Sequence, residues 1–71
     1  MDKDTFLLML GNHIIKLRSE RNWSQSDLAR ASEMERHNIY RLENGKINPS
    51  IFYLKQIADA LEISLPELVN F

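Results

Sequence analysis

Cysteine is absent from the 71 residues, so neither a disulfide nor a thiolate-bound metal can add stability, and the core alone has to hold the chain together. That lack suits a reducing compartment. Glycine and proline occur only twice each, and no segment alternates β-branched with polar residues. Both absences argue against a sheet and leave helices as the expectation throughout. Long apolar runs are missing too. The longest, Phe6 to Leu10, is far too short to span a bilayer, and Asp2 and Asp4 ahead of it do not suit the positive start of a signal peptide. The expected location is therefore the cytoplasm, with no membrane partner. The two histidines, His13 and His37, have no ligand spacing, so no metal and no cofactor is expected. A strong net charge is also lacking: the formal value is −1, which does not by itself advertise a nucleic-acid partner.

What is there is an apolar fraction of 44% in a chain of 71 residues, enough for one compact core and too little for two. A single domain over residues 1–71 is expected, with residues 1–4 as a flexible tail. Five helices can be placed. The first is expected to start near Asp4 or Thr5, either of which can accept from the N–H groups of a first turn. It runs to about Arg21 with Leu10, Ile14 and Leu17 inward, Gly11 costing some helix propensity. The second starts at Ser24 as N-cap, with Asp27 three residues on resembling a capping box in which the shorter acid replaces Glu, and ends near Ser32 with Leu28 and Ala29 inward. The third covers roughly Glu35 to Asn44, turns Ile39 and Leu42 inward, and stops at Asn44-Gly45. The fourth runs from about Ser50 to Leu61 and is expected to bury Ile51, Leu54, Ile57, Ala58 and Leu61. The fifth opens on Ser64-Leu65-Pro66-Glu67, a full capping box with proline in the first turn.

Charge is unevenly spread along this string. Residues 16–55 carry a net +3, whereas residues 1–15 carry −1 and residues 56–71 carry −3. A basic middle between acidic ends is compatible with binding a phosphate backbone on one side only.

The second and third helices are joined by only a few residues around Glu33-Met34, and so tight a connection makes them cross steeply, as in a helix-turn-helix. At about 100° per residue, Arg36, Tyr40, His37 and Arg41 fall on one arc of the third helix, opposite Ile39 and Leu42. Arginine suits the O6 and N7 acceptors of guanine and asparagine suits N6 and N7 of adenine, so Arg36, Arg41 and Asn38 are chemically apt base readers, with His37 able to donate or accept. From this helix alone, a solvated surface helix is an equally good account.

A longer pattern separates the two. Trp23-Ser-Gln-Ser-Asp-Leu-Ala-Arg-Ala31, then Ile39-Tyr-Arg-Leu-Glu-Asn-Gly-Lys46, Asn48-Pro-Ser50 and Ile57-Ala-Asp-Ala-Leu-Glu-Ile-Ser64 together resemble the Cro and phage-repressor family, also called the xenobiotic-response-element family. Leu10-Gly11, Ile14 and Leu17-Arg18 extend the resemblance over nearly the whole chain. It implies an all-α, compact five-helix, lambda-repressor-like DNA-binding domain with a helix-turn-helix, and sequence-specific binding of double-stranded DNA by a prokaryotic transcriptional regulator. It also implies base reading in the major groove by Arg36, His37 and Arg41 with Asn38 nearby, and phosphate contacts from Gln25, Tyr40, Asn44 and Lys46. Arg18 and Glu43 correspond to a partly buried ion pair in relatives. Two positions depart from the family pattern: Glu33 stands where glycine is usual in the turn, and Glu35 where the following helix usually has a serine or threonine cap. Both add negative charge beside the expected DNA surface; either they weaken nonspecific binding through repulsion, the reading favoured because Arg36 and Arg41 remain, or they mark a domain that binds something other than DNA.

The resemblance further implies a homodimer on a palindromic operator. Phe6, Leu7, Leu8 and Met9 at one end and Leu65, Leu68, Val69 and Phe71 at the other offer more apolar surface than one fold easily buries; either they make a self-association surface or the two ends cover each other. The alternative function is a protein-interaction module of the same fold, such as an antitoxin or bridging factor. Enzymatic activity is not expected, because Ser24, Asp27 and His37 form a triad only on paper, with nothing to supply an oxyanion site. No small-molecule ligand is evident.

Overall fold

The computed structural model describes all 71 residues and contains five helices and no strand: α1 (Lys3–Glu20), α2 (Gln25–Ser32), α3 (Arg36–Glu43), α4 (Ile51–Ala60) and α5 (Leu65–Leu68). Four of the five start on a side chain that accepts from the first turn. Ser24 and Asp27 exchange hydrogen bonds at 3.1 and 2.8 Å to begin α2, Ser50 accepts from the Tyr53 N–H at 3.0 Å to begin α4, and Ser64 and Glu67 form the second capping box, with Pro66 in the first turn of α5. The expected start of α1 at Asp4 or Thr5 is corrected to Asp2, whose carboxylate accepts from the Thr5 N–H at 2.8 Å. That choice leaves Asp4 inside the first turn, where its charge opposes the positive helix end. The expected tail over residues 1–4 shrinks accordingly, since Asp2 is the cap and Lys3 and Asp4 are helical.

Helices α1 to α4 all stop in the same way. A residue with positive φ, namely Asn22, Glu33, Gly45 or Glu62, sends its N–H to the carbonyl three residues back, and the next N–H reaches five residues back. This closure satisfies carbonyls that the helix end leaves open. Three of the four residues that reach back furthest are apolar (Trp23, Met34 and Ile63) and pack against the core. After α3 the equivalent residue is Lys46, which is exposed.

The core is one cluster drawn from every helix: Leu10 and Ile14 of α1, Leu28 and Ala29 of α2, Ile39 and Leu42 of α3, Leu54, Ile57 and Ala58 of α4, then Leu61 and Leu68. Ile51, expected to be buried, is instead 68% exposed, as is Phe52. Ile51 lies in line with Leu54 and Ala58, but it is the first residue of α4 and its side chain stays in solvent. Gly11 is buried at the crossing of α1 and α3, where a Cβ would stand 2.3 Å from the carbonyl oxygen of Glu43. The propensity lost at Gly11 is thus the condition for close approach of two backbones.

The chain ends meet. Leu7 and Leu68 are buried, the Phe6 and Phe71 rings lie 5.3 Å apart, and His13 reaches the Glu67 carbonyl at 3.1 Å with its ring 5.6 Å from Phe71. Covering is incomplete, because Phe6, Leu8, Val69 and Phe71 all remain exposed. At the opposite corner Arg21 lies 4.3 Å over the Trp23 ring, donates to the Leu61 carbonyl at 3.1 Å and pairs with Glu62 at 2.8 Å. These contacts join the ends of α1 and α4. No helix is long and apolar enough to cross a membrane.

Candidate nucleic-acid interface

Helix α3 is fixed from behind by Ile39 and Leu42, both essentially inaccessible to solvent. Its outward arc then follows from helical geometry: Arg36, His37 and Tyr40 are exposed and Arg41 is half-buried, while Asn38 sits half-buried at the edge of the arc. Asn44 and Lys46, just past the helix end, are exposed as well. The Asn44 amide donates to the Tyr40 carbonyl at 2.8 Å, which ties that side chain to the end of its own helix.

Behind this arc lies a buried ionic cluster. Arg18 of α1 grips Glu43 of α3 with both sides of its guanidinium, Nε to Oε2 at 2.6 Å and Nη2 to Oε1 at 2.9 Å, and its Nη1 donates to the Trp23 carbonyl at 3.0 Å. Gln25 of α2 donates to the same Glu43 Oε1 at 2.9 Å. The Glu43 side chain is wholly buried, so a lone carboxylate there would be costly, whereas three donors from two other helices satisfy it. Hydrogen bonding to Glu43 raises the Arg18 pKa above its already high ordinary value, against the opposing effect of burial. The outcome is that an acid at the end of α3 is neutralised, and α1, α2 and α3 are locked together at one point. Gln25 accordingly braces α3 through Glu43.

Electrostatics single out the α3 side. The nine Lys and Arg residues fall into two groups: Arg18, Arg21, Arg30 and Lys55 are in ion pairs, and the other five are not. Three of those five, Arg36, Arg41 and Lys46, sit on α3 or immediately after it. Charge that is already paired adds little to an external field, so these three dominate the positive potential of this face. Glu33 and Glu35 are exposed and unpaired at the other end of α3. Glu33 adopts φ 59°, the conformation that explains why glycine suits this turn, and Glu35 caps α3 with its backbone only, making no side-chain cap hydrogen bond.

Two features on this side were not legible from spacing. One is the contact of Gly11 with the Glu43 carbonyl, for which an unexplained glycine inside a helix was the available signal. The other is Tyr53, whose hydroxyl is buried without a hydrogen-bond partner; burial raises its pKa, with the charge of Arg41 acting in the opposite direction. Away from α3 the surface has two open depressions, one lined by Trp23, Asp27, Arg30 and Ala31 and one by Leu17, Glu20, Arg21, Leu61 and Ile63. No three of the His, Asp and Glu side chains come together as a metal-binding group.

Known proteins resemble this chain in sequence and in fold. The helix-turn-helix family model matches residues 14–68. The chain is 31% identical over 62 residues to y4dJ, an uncharacterised HTH-type transcriptional regulator of Sinorhizobium fredii, with 87% of this chain and 80% of that protein covered. It is 32% identical over 63 residues to the HTH-type transcriptional regulator SinR of Bacillus licheniformis, covering 87% of this chain and 57% of that protein. Among solved structures, the restriction-modification controller protein C.AhdI of Aeromonas hydrophila superimposes with a TM-score of 0.85 at 32% identity, over 87% of this chain and 94% of its own. With α2 and α3 joined by only three residues, the buried Arg18–Glu43 pair and these matches together, the chain belongs to the helix-turn-helix family, of the Cro and phage-repressor type.

Proposed function

We propose that this chain is a sequence-specific DNA-binding transcriptional regulator that acts in the cytoplasm as a symmetric dimer, laying α3 in the major groove of each half of a palindromic operator. The observation that carries the reading is the concentration of unpaired cations on and just after α3, on a helix whose other face is locked into the core. Arg36 and Arg41 read guanine edges, with His37 and Asn38 beside them. Gln25, Tyr40, Asn44 and Lys46 hold the phosphates on either side, setting register without carrying sequence information. Relatives named as transcriptional regulators, and a structural neighbour named as a restriction-modification controller, support the regulatory role.

Dimerisation follows from what one short helix can read. Eight residues of α3 span too few base pairs for selectivity, and two half-sites one turn apart, about 34 Å, supply the rest. The molecule measures 30 × 23 × 22 Å, so copies set at that spacing lie nearly edge to edge. Partly exposed Phe6, Leu8, Val69 and Phe71 offer apolar surface for such a contact.

Selection of bound sequences from random duplex DNA at two salt concentrations, with the wild type and an Arg36→Ala, Arg41→Ala variant, tests the reading. A palindromic consensus that the variant loses, with affinity falling steeply in salt, is the expected result. No enrichment, and a variant indistinguishable from wild type, would overturn it in favour of a protein partner facing the acid-flanked α3.

A further inference from the structure

Of the chain's asparagines, only Asn44 precedes a glycine. Such a pair is chemically labile, because a glycine has no Cβ to keep its nitrogen away from the amide carbon of the asparagine before it. The fold shows what holds the two apart. Asn44 has ψ 10°, which eclipses the Gly45 nitrogen with the backbone nitrogen of Asn44 and so turns it away from Cβ. The Gly45 N–H donates to the Leu42 carbonyl at 3.2 Å, and the Asn44 side-chain amide donates to the Tyr40 carbonyl at 2.8 Å. Attacking nitrogen and target amide are thus each tied to a different carbonyl of α3. Asn44 is nevertheless exposed and stands at a helix end, where local opening takes the least free energy.

We propose that Asn44-Gly45 is a deamidation site gated by the closing turn of α3. When that turn opens, the Gly45 nitrogen gives its proton to a base in solvent and bonds to Asn44 Cγ. The Cγ–Nδ2 bond breaks, and the amide nitrogen takes a proton from solvent and leaves as ammonia. Water then adds to either carbonyl of the cyclic imide and breaks one of its C–N bonds, which leaves an aspartate or an isoaspartate at this position. The product does not remake the closed end. A carboxylate has no hydrogen to give the Tyr40 carbonyl, and it sets a negative charge against the negative end of α3. The consequence for DNA rests on the role of α3 proposed above. The Asn44 amide has two hydrogens, of which Tyr40 takes one and leaves the other for a phosphate; the product has neither and repels the phosphate instead. Deamidation is then a one-way loss of DNA binding, at a rate set by how often the end of α3 opens.

Peptide mapping by mass spectrometry tests the site and its gate, following Asn44 in mildly alkaline buffer in the folded chain and in the chain unfolded in guanidinium chloride. In the unfolded chain Asn44 is expected to convert ahead of the other asparagines, and in the folded chain at least about 10-fold more slowly. Equal rates overturn the gate, and no conversion in the unfolded chain overturns the site. Operator binding by Asn44→Asp, which reproduces one product, and by Asn44→Ser, which removes the amide without adding charge, tests the consequence, with melting curves as a folding control. Asn44→Asp is expected to bind about 10-fold or more weakly than wild type, and Asn44→Ser to lose less. Wild-type affinity in Asn44→Asp overturns the loss of DNA binding. If the wild type selects no DNA sequence, the reading of α3 fails and takes this consequence with it, whereas the mass measurement still decides the site and the gate.

Discussion

At Gly11 two effects of opposite sign meet. Alanine there would gain about 1 kcal/mol of helix propensity, but its Cβ would press on the carbonyl oxygens of Glu43 and Leu42 at 2.3 and 2.9 Å. Those are backbone atoms and cannot swing aside. Overpacking of this kind costs about 1–3 kcal/mol, so the clash outweighs the gain and Gly11→Ala is expected to lower the urea midpoint at unchanged m-value. A midpoint at or above wild type would show that α1 and α3 separate there without cost. Gly45 is bound by similar limits, since it combines φ 68° with Leu8 Cδ2 only 3.1 Å from a would-be Cβ. The two glycines of the chain thus both serve the contact between α1 and α3. Neither contact was readable in the sequence, because a glycine reveals that something comes close without revealing what.

Among the elements, α3 is the one that starts without a side-chain cap. Glu35→Ser is expected to stabilise the fold by about 1 kcal/mol, the usual worth of a serine cap. Glu33→Gly relieves a left-handed conformation that costs about 1–2 kcal/mol and gives back about 0.5–1 kcal/mol in chain entropy, a smaller net gain. Both substitutions remove an acid next to α3, so thermal melts should rise while nonspecific DNA affinity rises with them. A variant that melts higher but binds no better would show that these acids lie outside the DNA field. The well-capped helices carry a different signature. Backbone N–H groups of Thr5, Ser24 and Ser64 hold the carboxyls of Asp2, Asp27 and Glu67 below their ordinary values of 3.8, 3.8 and 4.5. A carboxyl depressed in the folded state contributes stability above its ordinary value and loses it as pH falls through the lower folded value. Melting temperature should therefore drop below about pH 4, and less so in an Asp2→Asn, Asp27→Asn, Glu67→Gln variant; parallel curves would assign acid sensitivity elsewhere. Helices α2, α4 and α5 were legible because Ser24, Ser50 and Ser64 each stand directly before a helical stretch as a capping residue. At the N-terminus Asp2, Asp4 and Thr5 compete, and pattern does not choose among them. Ile51 shows the other limit: periodicity says which way a side chain points, not whether anything lies opposite. The Arg18–Glu43 cluster joins residues 25 positions apart and reached the sequence reading only through family resemblance.

For the molecule as a whole, a net charge of −1 conceals a positive face, because four of the nine basic residues are taken up in ion pairs and three of the other five stand on α3 or just after it. The salt dependence of DNA binding should follow the face and not the total. Removing one phosphate contact makes the slope of log K against log salt shallower by about 1, so Lys46→Ala is expected to change it by about 2 if two copies bind together and by about 1 if one does. An unchanged slope would remove Lys46 from the phosphate-contacting set. The joint at the far corner has an optical consequence. Trp23 is the chain's only tryptophan, stacked beneath an arginine that also holds the end of α4, while its own carbonyl receives Arg18. Intrinsic fluorescence therefore samples the meeting point of α1, α2 and α4, and a shift in its emission signals that this corner has opened, giving an unfolding record that needs no added label.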